Sequence, residues 1–158
     1  MDRLSKTIAT FFGLGYIPVA PGTFGALGGM VISLVIMSFH TDSAWWNGVH
    51  LVMSAAAYFA GVMACRNLES SWGHDPSRVV IDEALGFWIS ILFLPQDWRI
   101  LAAGFVLFRF FDILKPLGIR KVDKLQSHHA VMADDVIAGI YANIVLQVVV
   151  RIWGSALQ

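Results

Sequence analysis

Five of the eleven acidic side chains in this 158-residue chain fall in three places: Asp82-Glu83, Asp112 and Asp134-Asp135. Carboxylates are hard oxygen donors, and a group of them suits a hard divalent cation, Mg²⁺ first among them. Brought together without a cation they would repel one another. Arg109, Asp112 and Lys115 stand at i, i+3 and i+6. At about 100° per residue they share one helix face. A guanidinium and an ammonium suit a phosphate, and a carboxylate between them suits a metal or orients the arginine. The chemistry indicated is therefore a reaction of a phosphate beside a metal ion. Each group also has a plainer reading. Acids favour helix N-termini, and Arg109 and Asp112 are spaced as an ion pair, with Lys115 reaching toward headgroups. Asp112 fits the plain reading poorly, because it lies toward a helix C-terminus, where the dipole disfavours an anion.

A second candidate is the run from Gly13 to Gly25, which holds Pro18, Pro21, Gly22 and Thr23. Gly22 lets the backbone come close to a ligand, and Thr23 is placed to cap a helix through its hydroxyl. A helix start of this kind offers N–H groups and a positive dipole end to an anion. The Lys-Ser/Thr element of a P-loop is missing. The histidines are weaker signals. His74-Asp75 and His128-His129 read as loop residues that could move a proton or bind metal, and His40 and His50 read as structural. Cys65 is the lone cysteine, so no disulfide and no cysteine-based metal site can form within the chain.

The elements that must position these residues are set by composition. Hydrophobic residues make up 57% of the chain and charged residues 14%, against about 25% charged in a soluble domain. Basic and acidic residues balance at eleven each. That excludes the basic excess a nucleic-acid binder needs to neutralise phosphates. No Asp, Glu, Lys or Arg occurs from Thr7 to Thr41 or from Ser43 to Cys65. A helix crossing the hydrocarbon needs about 20 apolar residues. The sequence therefore predicts spans at Gly22–Phe39, Trp45–Cys65, Val79–Pro95, Trp98–Pro116 and Asp134–Ile152. His40-Thr41-Asp42 forms the turn between the first two, and Leu4–Phe12 lies in the interface. The third and fifth spans are short and hold acids, so both are open to half-insertion. The expected fold is all-α, a polytopic helical membrane bundle with four to five membrane-embedded helices in a single domain over 1–158.

With the N-terminus inside, Arg3, Lys6, Arg66, Arg78, Lys115, Arg120, Lys121 and Lys124 fall in cytoplasmic segments. Only Arg99 and Arg151 fall outside, as the positive-inside rule requires. Trp45, Trp46, Trp98 and Trp153 then form an outer aromatic belt. In this arrangement all five carboxylates come from three helices at one cytoplasmic depth.

Four blocks together resemble one family. They are Gly15-Tyr-Ile-Pro-Val-Ala-Pro-Gly-Thr-Phe-Gly25, Val80-Ile-Asp-Glu-Ala-Leu-Gly86, Phe108-Arg-Phe-Phe-Asp-Ile-Leu-Lys-Pro116 and Val131-Met-Ala-Asp-Asp-Val-Ile-Ala-Gly139. In this order they are similar to the phosphatidylglycerophosphatase A family of magnesium-dependent bacterial lipid phosphatases. The resemblance implies release of the terminal phosphate of phosphatidylglycerol phosphate at the cytoplasmic face of the inner membrane. It implies Mg²⁺ held by, and catalysis carried by, Asp82, Glu83, Asp112, Asp134 and Asp135. Arg109 and Lys115 carry over as its basic positions. Together with Gly22 and Thr23 from the helix start, they are the groups expected to hold the substrate phosphate. The chain departs from the family pattern in two places. Gly118 stands where the pattern has proline, and Ser127-His128-His129-Ala130 replaces a glycine-rich run before the paired aspartates.

Other phosphatase chemistries fit less well. Cys65 lacks an arginine six residues on, and there is no Asp-x-Asp pair. Direct attack by water and a phospho-enzyme both remain open. The enzymatic alternative is a CDP-alcohol transferase-like lipid enzyme. The non-enzymatic alternative is a membrane scaffold or cation carrier, whose acids should line a path at mid-membrane rather than cluster at one interface.

Overall fold

A computed structural model describes residues 2–39, 42–73, 77–116, 118–123, 125 and 127–156. His40, Thr41, His74, Asp75 and Lys124, together with the side chain of Trp153, lie outside the described residues. Among the described residues the chain is helical, with no strand: α1 Asp2–Ala9, a 3₁₀ turn Leu14–Tyr16, α2 Pro21–Met37, α3 Ser43–Trp72, α4 Ile81–Ser90, α5 Trp98–Leu114, α6 Ile119–Asp123 and α7 His128–Ala156. By length and apolarity α3 and α7 are able to cross a membrane, and α2 is a shorter apolar helix.

The helix α4 is the hub. It packs against α7, α2, α3 and α5, and eight of its ten residues, among them Leu85, Phe87 and Trp88, are buried. Its length corrects the expected third span. Ten helical residues rise only about 15 Å, half the hydrocarbon thickness of about 30 Å. The segment still reaches the far end of the bundle, where Leu94 and Pro95 lie beside Met37 and Ser38. It does so as irregular chain whose backbone groups are bonded by neighbours. Asn143 Nδ2 donates to Ser90 O (3.0 Å) and Leu92 O (2.8 Å). Gln147 Nε2 donates to Phe93 O (3.1 Å), and Phe93 N donates to Asn47 Oδ1 (2.7 Å). Irregular backbone survives at such depth only where protein satisfies it.

The fifth expected span is also corrected. The helix α7 starts at His128, six residues before Asp134, so the paired aspartates lie within its second turn and do not cap its start. His128 and His129 are helical, not loop residues. His128 Nε2 lies 3.1 Å from Glu69 Oε2, and His129 Nδ1 lies 3.0 Å from the Tyr58 hydroxyl. Both contacts tie α7 to α3 rather than to the carboxylates. Likewise α3 runs to Trp72, seven residues beyond the expected end at Cys65.

His50 is structural, as its sequence position implied. It is fully buried, with Nδ1 at 2.8 Å from Trp46 O and Nε2 at 2.9 Å from Ser33 Oγ. With the indole of Trp88 donating to Gly29 O (3.0 Å), this network ties α2, α3 and α4 together.

Candidate active site

At one end of the bundle the starts of α2 and α4, the second turn of α7 and the end of α5 surround a cavity of about 280 Å³. All five carboxylates named from the sequence line it, with Arg109, Lys115 and Gly22. Asp82, Asp112, Asp134 and Asp135 are each less than 10% exposed. Buried ionisable groups are costly unless they face a polar site or a partner. Here they face one another across the cavity.

The helices explain the convergence. Asp82 and Glu83 stand in the first turn of α4, where the helix dipole favours anions. Asp135 comes from α7, which lies so close that a Cβ on Gly139 would overlap the carbonyl of Gly86. Each of these glycines sits four residues beyond its carboxylate, Gly86 after Asp82 and Gly139 after Asp135. The glycine contact therefore places the two acids on facing helix surfaces one turn away. Gly86 is held on its other side too, since a Cβ there would meet the Phe108 ring and lie 2.8 Å from Asp135 O. On α2, a Cβ on Gly22 would overlap Glu83 Oε1 and lie 3.2 Å from an Arg109 guanidinium nitrogen. A side chain at position 22 would therefore push Glu83 from its place on this side of the cavity.

The five carboxylates divide into two sets. Asp82, Glu83 and Asp135 each place an oxygen so that all three lie within 4.8 Å of one another, a grouping able to hold a metal ion. The other two are paired with bases. Asp112 accepts from the Arg109 guanidinium, whose positive charge offsets the unfavourable α5 C-terminus. Asp134 accepts from Lys115 Nζ at 2.6 Å. Lys115 caps α5 in the left-handed region, with φ 45°. A non-glycine residue held there costs about 1 kcal/mol or more and persists only where surroundings enforce it. Arg109 also reaches Glu83 Oε1 at 4.0 Å, joining the two sets. Glu83 Oε2 and Arg109 Nε are buried with no hydrogen-bond partner among the described residues.

Thr23 departs from expectation. The α2 N-cap is Ala20, in the left-handed region, and Pro21 opens the helix. Thr23 is the third helical residue, its N–H bonded to Ala20 O at 2.9 Å. It caps nothing and does not line the cavity, whereas Ala20, Pro21 and Gly22 do. A proline at the first helical position has no N–H to leave unpaired, so the helix starts there, ahead of the threonine. The sequence reading also passed over Gly86 and Gly139 as positioning residues. Their signal was the shared four-residue offset from an acid.

The chain matches the family described as Phosphatidylglycerophosphatase A over residues 7–150. It belongs to that family. Phosphatidylglycerophosphatase A of Haemophilus influenzae is 38% identical over 142 residues, covering 88% of this chain and 84% of the relative. The Escherichia coli protein of the same name is 34% identical over 149 residues, covering 92% and 83%. A Bacteroides thetaiotaomicron protein named "Putative phosphatidylinositol-3-phosphatase" is 45% identical over 151 residues, covering 92% of each chain. No solved structure matches the chain. Family membership makes the protein a lipid phosphatase of phospholipid biosynthesis, and the acid-lined cavity is the candidate site of that reaction.

Proposed function

We propose that this phosphatidylglycerophosphatase A family member hydrolyses the terminal phosphomonoester of phosphatidylglycerol phosphate to phosphatidylglycerol and phosphate, with Mg²⁺, at the cytoplasmic face of a bacterial inner membrane that its chain crosses four to five times. The observation that carries the reading is the convergence of three carboxylates, Asp82, Glu83 and Asp135, in a cavity whose wall also holds Arg109 and Lys115.

The donor set fits the cation. Asp82, Glu83 and Asp135 offer only hard oxygens, the ligands Mg²⁺ takes, and a buried Glu83 oxygen has no hydrogen-bond partner among the described residues. These three residues would hold the metal, with Asp112 and Asp134 beside it. When bound, Mg²⁺ offsets the charge of the phosphate oxygens. The chain's own residues supply the rest. Arg109 and Lys115 bring two positive charges to the cavity wall, where a phosphate can exchange for part of their carboxylate contacts. At Gly22 the start of α2, its positive dipole end, comes to the cavity wall. Asp112 and Asp134 hold the two bases in place, and either is placed to accept a proton from the attacking water. Charge stabilisation and positioning carry most of the rate gain in such a transfer.

The apolar helices and the distribution of basic residues along the sequence support the membrane placement, with eight in the segments read as cytoplasmic and two in those read as outside. Trp45 and Trp98 are exposed at the other end, where an aromatic belt would lie, whereas Trp46, expected in that belt, is buried in the core. The Bacteroides relative's name supports a second substrate, phosphatidylinositol 3-phosphate, which presents the same phosphomonoester on a larger headgroup.

The test is phosphate release by the purified chain from each lipid, with and without Mg²⁺. Release from phosphatidylglycerol phosphate that needs Mg²⁺ and is lost in Asp135→Asn is the expected result. Mg²⁺-dependent release from the inositol lipid alone would install the second reading, and no release from either would overturn both.

A further inference from the structure

Three grooves outside the active-site cavity meet at Phe12 and share no residue with that cavity. One carries two basic residues, with Arg3, Lys6 and Tyr16 on its walls. The second is an apolar furrow along α2, past Phe24, Leu27 and Val31. The third is an apolar furrow between α1 and α3, past Ala60, Ala56 and Met53. Phe12 borders all three, and Phe11 and Ile32 border both furrows.

The three parts are laid out as an amphiphile is. The basic groove sits at the end of the bundle that holds the candidate active site, where α1 packs against the last turns of α3: Asn67 Nδ2 donates to Ser5 Oγ at 3.2 Å. From there α2 runs away from that end as its residue numbers rise, and α3 does so as its numbers fall. Both furrows therefore descend the bundle in one direction from a common head. From Phe24 to Ile32 the α2 furrow extends about 12 Å. The head is positively charged. Lys6 Nζ and the Arg78 guanidinium stand 5.9 Å and 6.0 Å from the centre of the Trp72 ring, and the Tyr16 ring meets the same indole edge-on. The wedge between the furrows is held at a cost. Phe11 and Phe12 are consecutive non-glycine residues with positive φ, 44° and 60°, each an unfavourable conformation. This turn leaves Phe12 80% exposed.

We infer that these grooves seat one anionic two-chain phospholipid, its headgroup phosphate at Arg3, Lys6 and the Tyr16 hydroxyl and one acyl chain on each side of Phe11-Phe12. The site is separate from the active site and is not a route to it. It rests on the membrane placement proposed above but not on the phosphatase chemistry.

Native mass spectrometry of the purified full chain, released from micelles doped with phosphatidylglycerol or with phosphatidylcholine of the same chains, tests it. The wild type should retain phosphatidylglycerol over phosphatidylcholine by at least about tenfold, and Arg3→Gln/Lys6→Gln should lose that preference, since basic groups at a lipid surface attract anionic headgroups. Ala56→Phe, which fills an exposed part of one furrow without touching the core, should reduce retention of both lipids. Arg109→Gln/Lys115→Gln, in the active-site cavity, should leave the preference intact. Equal retention of the two lipids by the wild type would overturn the inference. So would an unchanged preference in Arg3→Gln/Lys6→Gln, or a preference lost only in the active-site variant. A protein that fails to release phosphate but keeps the lipid preference would leave this site standing and remove the proposed reaction alone.

Discussion

Gly86 on α4 and Gly139 on α7 touch backbone to backbone, and each lies one helical turn beyond a carboxylate of the candidate active site, Asp82 and Asp135. The contact sets the distance between the two helices, and so the distance between the two acids. Ordinary side chains at these positions would hold the axes about 8–10 Å apart.

Gly139→Ala should therefore act on both stability and rate. The added methyl overlaps Gly86 O, an overpacking that costs about 1–3 kcal/mol. The melting midpoint should fall by several degrees, and phosphate release should fall about 100-fold, the cost of a misplacement near 1 Å. Thermal unfolding and initial rates check this. A variant with wild-type turnover would show that the helix spacing does not position the acids.

Gly22→Ala tests the other wall. Its methyl would meet a side-chain oxygen of Glu83, not backbone. Glu83 can rotate away, so the midpoint should change by less than the cost of a core overpacking. Phosphate release should drop by about 10–100-fold with apparent Mg²⁺ affinity weakened, because a displaced ligand costs about that factor. Mg²⁺ titrations of activity measure both.

Metal binding should be visible without turnover. A ligand that binds only the folded chain raises stability by mass action, about 2.7 kcal/mol at a hundredfold excess over its dissociation constant. Mg²⁺ should thus raise the melting midpoint of the wild type, and EDTA should reverse the rise. In Asp82→Asn/Asp135→Asn, which keeps the shape and removes two charges, the rise should vanish. A rise of equal size in that variant would place the cation elsewhere.

His50→Phe separates support from chemistry. The histidine bridges Ser33 and Trp46 far from the cavity. Replacing it removes two side-chain hydrogen bonds, while Ser33 Oγ keeps its bond to Gly29 O at 3.2 Å and Trp46 O stays within the α3 ladder, a loss of about 1–3 kcal/mol. The midpoint should fall while the rate per folded molecule stays within about twofold of wild type. A larger loss of rate would mean that the α2–α3–α4 tie also governs the active site.

The attack itself can be resolved by isotope. With a phosphate made chiral by oxygen isotopes, direct attack by water inverts the configuration at phosphorus in the released phosphate. A phospho-enzyme formed on one of the cavity carboxylates goes through two displacements and retains it, and its acyl phosphate is trapped by borohydride and found by peptide mass spectrometry.

Much of the site was legible in the chain because charge is scarce in it. When only 14% of residues are charged, five acids in three runs stand out, and helical periodicity alone puts Arg109, Asp112 and Lys115 on one face. All seven charged candidates line one cavity. Thr23 misled because a threonine hydroxyl announces a cap, while the helix was in fact started by Pro21. The start of α7 was hidden because Ser127–Val131 is not apolar enough to read as part of a span, yet His128 and His129 gain partners on α3 that make it helical.

By itself the sequence determined the class of the protein: helical, apolar, with one acidic and basic cluster of phosphate chemistry. These properties depend on composition and on spacing within single helices, which are local. Only the tertiary structure decided which acids converge and which are matched by bases, that α4 stops after ten residues, and that three grooves join at Phe12. Those depend on where two backbones touch and which distant side chain satisfies a carbonyl. Such contacts are set by packing between segments far apart in the chain, and no local pattern encodes them.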